Sequence, residues 1–87
     1  MVEIQVKEMS TETFQVTVHA GNTTTHEVNV QATYVQKLTD GKISTADLVK
    51  KSFEFLLARE SNTSILRRFD LSVIAHYFPE YERVILK

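Results

Sequence analysis

The sequence predicts an α+β fold in which an N-terminal three-stranded antiparallel β-meander packs against a C-terminal helical half of three to four helices. A change in composition near residue 45 is the first observation. Residues 1–30 hold six Val, six Thr and no Leu, whereas residues 46–87 hold six Leu, one Thr and six of the eight aromatic residues. β-branched residues favour strands and leucine favours helices. A change of hydrophobic period along the chain is the second observation.

The length and composition are those of one small globular domain. The chain has 87 residues, of which 43% are hydrophobic and 24% charged. That length provides for one hydrophobic core and leaves no room for a second unit. We therefore expect a single domain over residues 1–87, with the β-meander in 1–30 and the helical part in 31–87.

Strict alternation of apolar and polar residues predicts three strands. The alternating apolar positions are Val2, Ile4 and Val6, then Phe14, Val16 and Val18, then Val28 and Val30. A connecting loop of three residues at 21–23, or of five, places Val16 opposite Val28, and Phe14 opposite Val30, on one face. The same reasoning places Ile4 opposite Val16. The predicted sheet has one buried face and one face in water.

Helical patterns begin after residue 30. A short helix that carries Tyr34 and Leu38 is expected to end at Gly41, which can adopt a left-handed conformation. The main helix is predicted from about Thr45 to Glu60, capped by Ser44 or Thr45. Its apolar residues cover about half of its circumference, which is typical of a helix at the centre of the core.

Short helical turns are predicted after residue 60. Ile65, Leu66 and Phe69 have the spacing of one helical face, so Arg67 and Arg68 are expected on a helical turn. Asp70 can cap a following helix, and Pro79 is suited to the first turn of the last one.

Charge and cysteine content narrow the classes of partner. Ten Lys and Arg against eleven Asp and Glu give a net charge of −1, which does not favour nucleic acid or an anionic membrane. The chain has no cysteine, which excludes disulfides and thiolate chemistry. Glu3, Lys7 and Glu8 interrupt any apolar signal-peptide core near the N-terminus. The sequence therefore predicts a cytoplasmic protein without a membrane segment.

No pattern in the sequence predicts catalysis, a metal site or a cofactor. The alternation places His19 and His26 on opposite faces of the sheet, and His76 is distant in the sequence. No serine lies in a nucleophile elbow, and two glycines are too few for a phosphate-binding loop. An enzyme or small-ligand binder is the weakest hypothesis and would require a deep pocket with converging polar groups.

The aromatic residues of the helical half exceed what a small core can easily bury. The candidate interaction surface consists of Phe55, Tyr77, Phe78 and Tyr81. Surplus apolar faces on short helices indicate self-association or a partner protein. The leading hypothesis is therefore a non-enzymatic protein-interaction module that forms a homodimer or binds another protein.

Basic residues give an alternative hypothesis, a small DNA-associated regulator. Lys50, Lys51, Arg67 and Arg68 are the candidate phosphate contacts, and the helix, turn and helix around them have helix-turn-helix spacing. Against this hypothesis, the expected recognition stretch at 70–78 contains no Arg, Lys, Asn or Gln. Such a stretch has few groups that read base edges.

Three runs in the C-terminal half are distinctive: SFEFLLARE, NTSILRRFDL and YFPEYE. Through these runs the chain resembles a family of small uncharacterised bacterial proteins, over about the last two fifths to half of its length. The resemblance implies a bacterial, cytosolic origin and supplies no activity, ligand or catalytic residue.

Overall fold

The computed structural model describes residues 2–85; residues 1, 86 and 87 of the predicted domain lie outside the described residues. The strands are β1 (Glu3–Glu8), β2 (Thr13–His19), β3 (Thr23–Asn29) and β4 (Arg68–Asp70). The helices are α1 (Ala32–Thr39), α2 (Thr45–Leu57), α3 (Val73–Tyr77) and α4 (Tyr81–Val84), and a 3₁₀ turn covers Asn62–Ser64. The predicted α+β class is confirmed.

The sheet has four strands in the order β1-β2-β3-β4. The first three are antiparallel, as predicted, and β4 adds to β3 in the parallel direction. The Glu27 N–H donates to the Arg67 carbonyl at 2.7 Å, and the Leu71 N–H donates to the Asn29 carbonyl at 2.9 Å. These bonds lie on either side of the extended residues 68–70, so the prediction that Arg67 and Arg68 lie on a helical turn is wrong.

The pairing of β1, β2 and β3 differs from the predicted register by two residues. Phe14 lies opposite Val28, Val16 opposite His26, and Ile4 opposite Val18. The β2–β3 loop has three residues, at 20–22 rather than 21–23. A shift of two leaves every side chain on its predicted face, because side chains alternate with a period of two. The prediction that Val16 and Val28 share the buried face is confirmed.

Helices α1 and α2 begin and end close to the predicted positions. The Ser44 hydroxyl accepts a hydrogen bond from the Asp47 N–H at 3.1 Å, which caps α2. Asp40 and Gly41 both have positive φ, 54° and 74°, and they stop α1. The main helix ends at Leu57, three residues before the predicted Glu60.

Helix α2 lies across the inner face of β1 and β2 and forms the centre of the core. The fully buried side chains include Val16, Val18, Val28, Leu48, Val49, Phe53, Leu71 and Tyr81. Within residues 2–85, no helix has the length and apolar character needed to span a membrane.

Candidate interaction surfaces

The four aromatic residues predicted to form one surface do not lie on it together. Phe55 and Tyr81 are 8% and 0% exposed, so for these two the expected exposure is wrong. The Phe55 ring packs edge-on against Tyr81 and Phe78, with centroid distances of 5.2 and 5.8 Å. The short helix α4 thereby closes over the end of α2. Phe78 is half-buried, and Tyr77 is 66% exposed.

Arg59 covers the outer side of this aromatic cluster. Its guanidinium carbon lies 3.6 Å from the centroid of the Phe55 ring, and Nη1 donates to the Phe55 carbonyl at 3.0 Å. Its Nε lies 3.3 Å from a carboxylate oxygen of Glu80. Hydrogen bonds from the backbone N–H of Glu80 and from Arg59 hold the pKa of the Glu80 carboxyl below its ordinary value.

A second contact ties α4 to α1. The Tyr34 hydroxyl donates to a carboxylate oxygen of Glu82 at 2.7 Å. Burial, followed by this hydrogen bond, raises the pKa of Tyr34 above its ordinary value. The Tyr81 hydroxyl of α4 is also hydrogen-bonded to the Ser52 hydroxyl of α2, so polar contacts fix the last helix to both α1 and α2.

Tyr77 forms one wall of an apolar groove of about 410 Å³ between the end of α2, β4 and α3. Leu66, which is 51% exposed, forms another part of the wall. The other lining residues are Leu56, Glu60, Ser64, Ile65, Phe69, Val73, Ile74 and Phe78. Glu60 and Ser64 contribute the polar side chains. We call this site the Leu66–Tyr77 groove.

A buried polar network positions the Leu66 side of the groove. The His26 Nδ1 is 2.8 Å from the Leu66 carbonyl, which can only accept, so Nδ1 carries the proton. In the neutral ring, the His26 Nε2 then accepts from the Thr24 hydroxyl at 2.8 Å. Asn62 donates to that hydroxyl at 3.1 Å and to the Asn22 carbonyl at 2.9 Å. The sequence pattern does not predict this network, since its members are up to 40 residues apart.

The free edge of β1 is the second candidate surface. The Met9 N–H donates to the Thr13 carbonyl at 2.8 Å, and this pair continues the β1–β2 register. In antiparallel pairs the backbone groups of alternate residues face the partner strand, so residues 3, 5 and 7 also face β2. The N–H and C=O groups of Ile4 and Val6 therefore point away from the sheet. No hydrogen bond within residues 2–85 reaches these groups from another segment.

The candidate phosphate contacts do not form a helix-turn-helix. Arg68 lies on β4, on the water-facing side, with its Nε 3.6 Å from a carboxylate oxygen of Glu27. Arg67 and Arg68 line a depression of about 250 Å³ that also contains Glu27. Lys50 and Lys51 are exposed on α2 and do not line it. The structure thus separates the two lysines on α2 from the two arginines at the start of β4 and places a carboxylate beside the arginines.

Among residues 2–85, no group of three or more His, Asp or Glu side chains is arranged to hold a metal ion. His19 and His26 lie on opposite faces of the sheet, as predicted. No protein-family model, curated protein or solved structure matches the chain.

Proposed function

We propose that the protein is a non-enzymatic interaction module that binds an apolar segment of a partner protein in the Leu66–Tyr77 groove. The observation that carries the proposal is the exposure of two large apolar side chains, 51% for Leu66 and 66% for Tyr77, on the walls of one groove. Single exposed apolar residues are ordinary on protein surfaces. Two exposed apolar residues on the walls of one groove, whose floor consists of buried core residues, indicate a binding surface.

The chemistry of the groove favours a protein segment over a small substrate. Substrate sites combine an apolar pocket with a few converging polar groups that orient the ligand. In the Leu66–Tyr77 groove the polar side chains are Glu60 and Ser64. The Ser64 hydroxyl is 3.2 Å from the Ser61 hydroxyl, and the described residues place no base beside it. An amphipathic helix that inserts apolar side chains at one-turn spacing matches such a groove.

The negative charge of Glu60 predicts a positive charge on the partner segment. Within residues 2–85 its carboxylate takes part in no salt bridge, whereas the adjacent Arg59 is engaged with Glu80. A Lys or Arg next to the apolar residues of the partner segment would complement Glu60 at the rim of the groove. The proposed partner is therefore an apolar segment flanked by basic residues.

Site-specific photo-crosslinking in the native cell tests this proposal. A photoreactive phenylalanine is placed at Tyr77 in the groove or, as a matched control, at Val84, which is 39% exposed on α4 and outside the groove. The expected result is a discrete heterologous product from position 77 alone, which is lost on Leu66→Glu. Peptide mapping is expected to locate the crosslink in an apolar segment with basic neighbours.

Three results would contradict the proposal. They are no product from position 77, an equal product from position 84, and a mapped segment that is acidic or polar. A product of twice the 10.0 kDa chain mass would assign the groove to a second copy instead.

A further inference from the structure

We infer that two copies of the chain pair through the free edges of β1, antiparallel, with Glu3 of each copy opposite Lys7 of the other. This pairing would join two four-stranded sheets into one continuous sheet. It uses a surface on the opposite edge of the sheet from β4 and the Leu66–Tyr77 groove, so it is independent of the proposed function.

The outward-facing N–H and C=O groups of β1 can form hydrogen bonds with a further strand. Ile4 and Val6 each direct an N–H and a C=O away from β2, as the hydrogen-bonding alternation requires. A second β1 related by a two-fold axis through Gln5 places Ile4 opposite Val6 of the other copy. Each such pair exchanges two hydrogen bonds, so the two symmetry-related pairs form about four.

The charges on β1 select this register. The side chains on its water-facing side are Glu3, Gln5 and Lys7. With the axis at Gln5, each Glu3 lies opposite a Lys7, in the closely spaced type of antiparallel pair. The two opposite-charge pairs form simultaneously. The strand is therefore complementary in charge to a second copy of itself.

The neighbouring registers lack this complementarity. A shift that brings Ile4 opposite Ile4 places Glu3 opposite Gln5 and leaves Lys7 without a carboxylate. A shift that brings Val6 opposite Val6 places Glu8 against Ile4 and pairs Lys7 with Gln5. Of these three registers, only the one centred on Gln5 pairs Glu3 with Lys7 on the water-facing side and Ile4 with Val6 on the other side; Glu8 then lies opposite Val2 at the end of the strand.

Apolar side chains along the edge support the same pairing. Ile4 and Val6 pack against the core and are partly buried in the isolated chain. Val2 and Met9 at the two ends of the strand are 50% and 54% exposed. Charged residues ordinarily protect an edge strand from pairing by repulsion. Here Glu3 and Lys7 have opposite signs and the spacing that attracts a second copy.

Charge reversal tests the register by sedimentation velocity at low ionic strength. Glu3→Lys and Lys7→Glu each create two like-charge pairs, so each variant alone is expected to dimerise at least about tenfold more weakly than the wild type. An equimolar mixture of the two variants restores both opposite-charge pairs and is expected to form heterodimers. Lys37→Glu, an exposed position on α1, controls for net charge and is expected to dimerise normally.

Amide hydrogen exchange tests the pairing without a substitution. In dilute protein the Gln5 and Lys7 amides are expected to be protected by β2, and those of Ile4 and Val6 are expected to exchange rapidly. At high protein concentration Ile4 and Val6 gain protection.

Several results would overturn the inference. They are a chain that remains a monomer of 10.0 kDa at high micromolar concentration, a dimer whose Ile4 and Val6 amides stay unprotected, and a variant mixture that does not associate. None of these results affects crosslinking from position 77, so failure of the dimer and failure of the groove can be told apart.

Discussion

Removal of the Ser52 hydroxyl is expected to destabilise the fold more than removal of the hydroxyl of its partner, Tyr81. Both residues are 0% exposed, and their oxygens are 2.6 Å apart. Ser52 also donates to the Leu48 carbonyl at 2.7 Å. Because a serine has one hydroxyl hydrogen, Tyr81 must be the donor in the shared bond. Ser52→Ala therefore leaves the Tyr81 hydroxyl without an acceptor, whereas Tyr81→Phe leaves the Ser52 hydroxyl bonded to Leu48.

The difference can be estimated from these contacts. Tyr81→Phe leaves Ser52 bonded to Leu48 and removes one net hydrogen bond, which costs about 0.5–1.5 kcal/mol. Ser52→Ala leaves a buried phenolic O–H without an acceptor, at about 1–3 kcal/mol, offset by about 0.5 kcal/mol of higher helix propensity. In the Ser52→Ala background, Tyr81→Phe is expected to be neutral or stabilising. The coupling free energy should be about 1–2 kcal/mol.

Equilibrium urea unfolding of the four proteins in this cycle measures the free energies of unfolding. Thermal melts should agree, at about 4–8 °C for each kcal/mol in a domain of this size. Tyr77→Phe is the control, since Tyr77 is 66% exposed, and it should change stability by less than about 0.5 kcal/mol. A larger loss of stability for Tyr81→Phe than for Ser52→Ala, or additive effects in the double variant, would refute the assigned donor direction.

Burial raises the pKa of Tyr81 to about 12 from 10.0, so the unfolded chain loses this proton first and stability falls by about 2–3 kcal/mol between pH 10 and 12. Urea unfolding across this range should show a shallower loss for Tyr81→Phe, and an unchanged slope would contradict the prediction. Asn62→Ala removes the hydrogen bonds that its amide donates to the Asn22 carbonyl and the Thr24 hydroxyl, at about 0.5–1.5 kcal/mol each, and should cost about 1–3 kcal/mol in urea unfolding, whereas the exposed control Asn29→Ala should cost less. Arg59→Lys keeps the charge but loses the planar stacking on Phe55, so thermal melts should show a loss of about 0.5–1 kcal/mol; an unchanged melting temperature would argue against that contact.

The sequence predicted the parts of the fold that depend on local pattern. Alternation in β1 to β3 identified the buried face, and capping by Ser44 identified the start of α2. It did not identify the pairing register, because a shift of two residues preserves every face. The observed register places His26 opposite Val16, where its ring nitrogens bond to Thr24 and to the Leu66 carbonyl. The contact with Leu66 is non-local, so the alternation of apolar residues does not predict it.

The missed strand β4 has a related cause. Arg68, Phe69, Asp70 and Leu71 alternate between polar and apolar, which is the signal that could have identified the strand. Four residues also fit a helical turn, and the partner strand β3 is about 40 residues away, so local pattern could not choose between them. The prediction placed Phe69 on a helix face, whereas in the structure it lies on the floor of the Leu66–Tyr77 groove. The groove therefore could not be predicted, although Tyr77 on its wall was among the candidate surface residues.

The two proposed surfaces are arranged in a way that links their functions. β1 and β4 are the opposite edges of the sheet, and the Leu66–Tyr77 groove lies beside β4. Pairing through β1 would therefore leave both grooves free, one beyond each end of the joined sheet. A dimer of this kind would hold two partner segments at a fixed separation, and a partner with two such segments would bind more tightly than either segment alone. Glu3→Lys should then weaken binding of a two-segment partner while leaving the affinity of one groove for one segment unchanged.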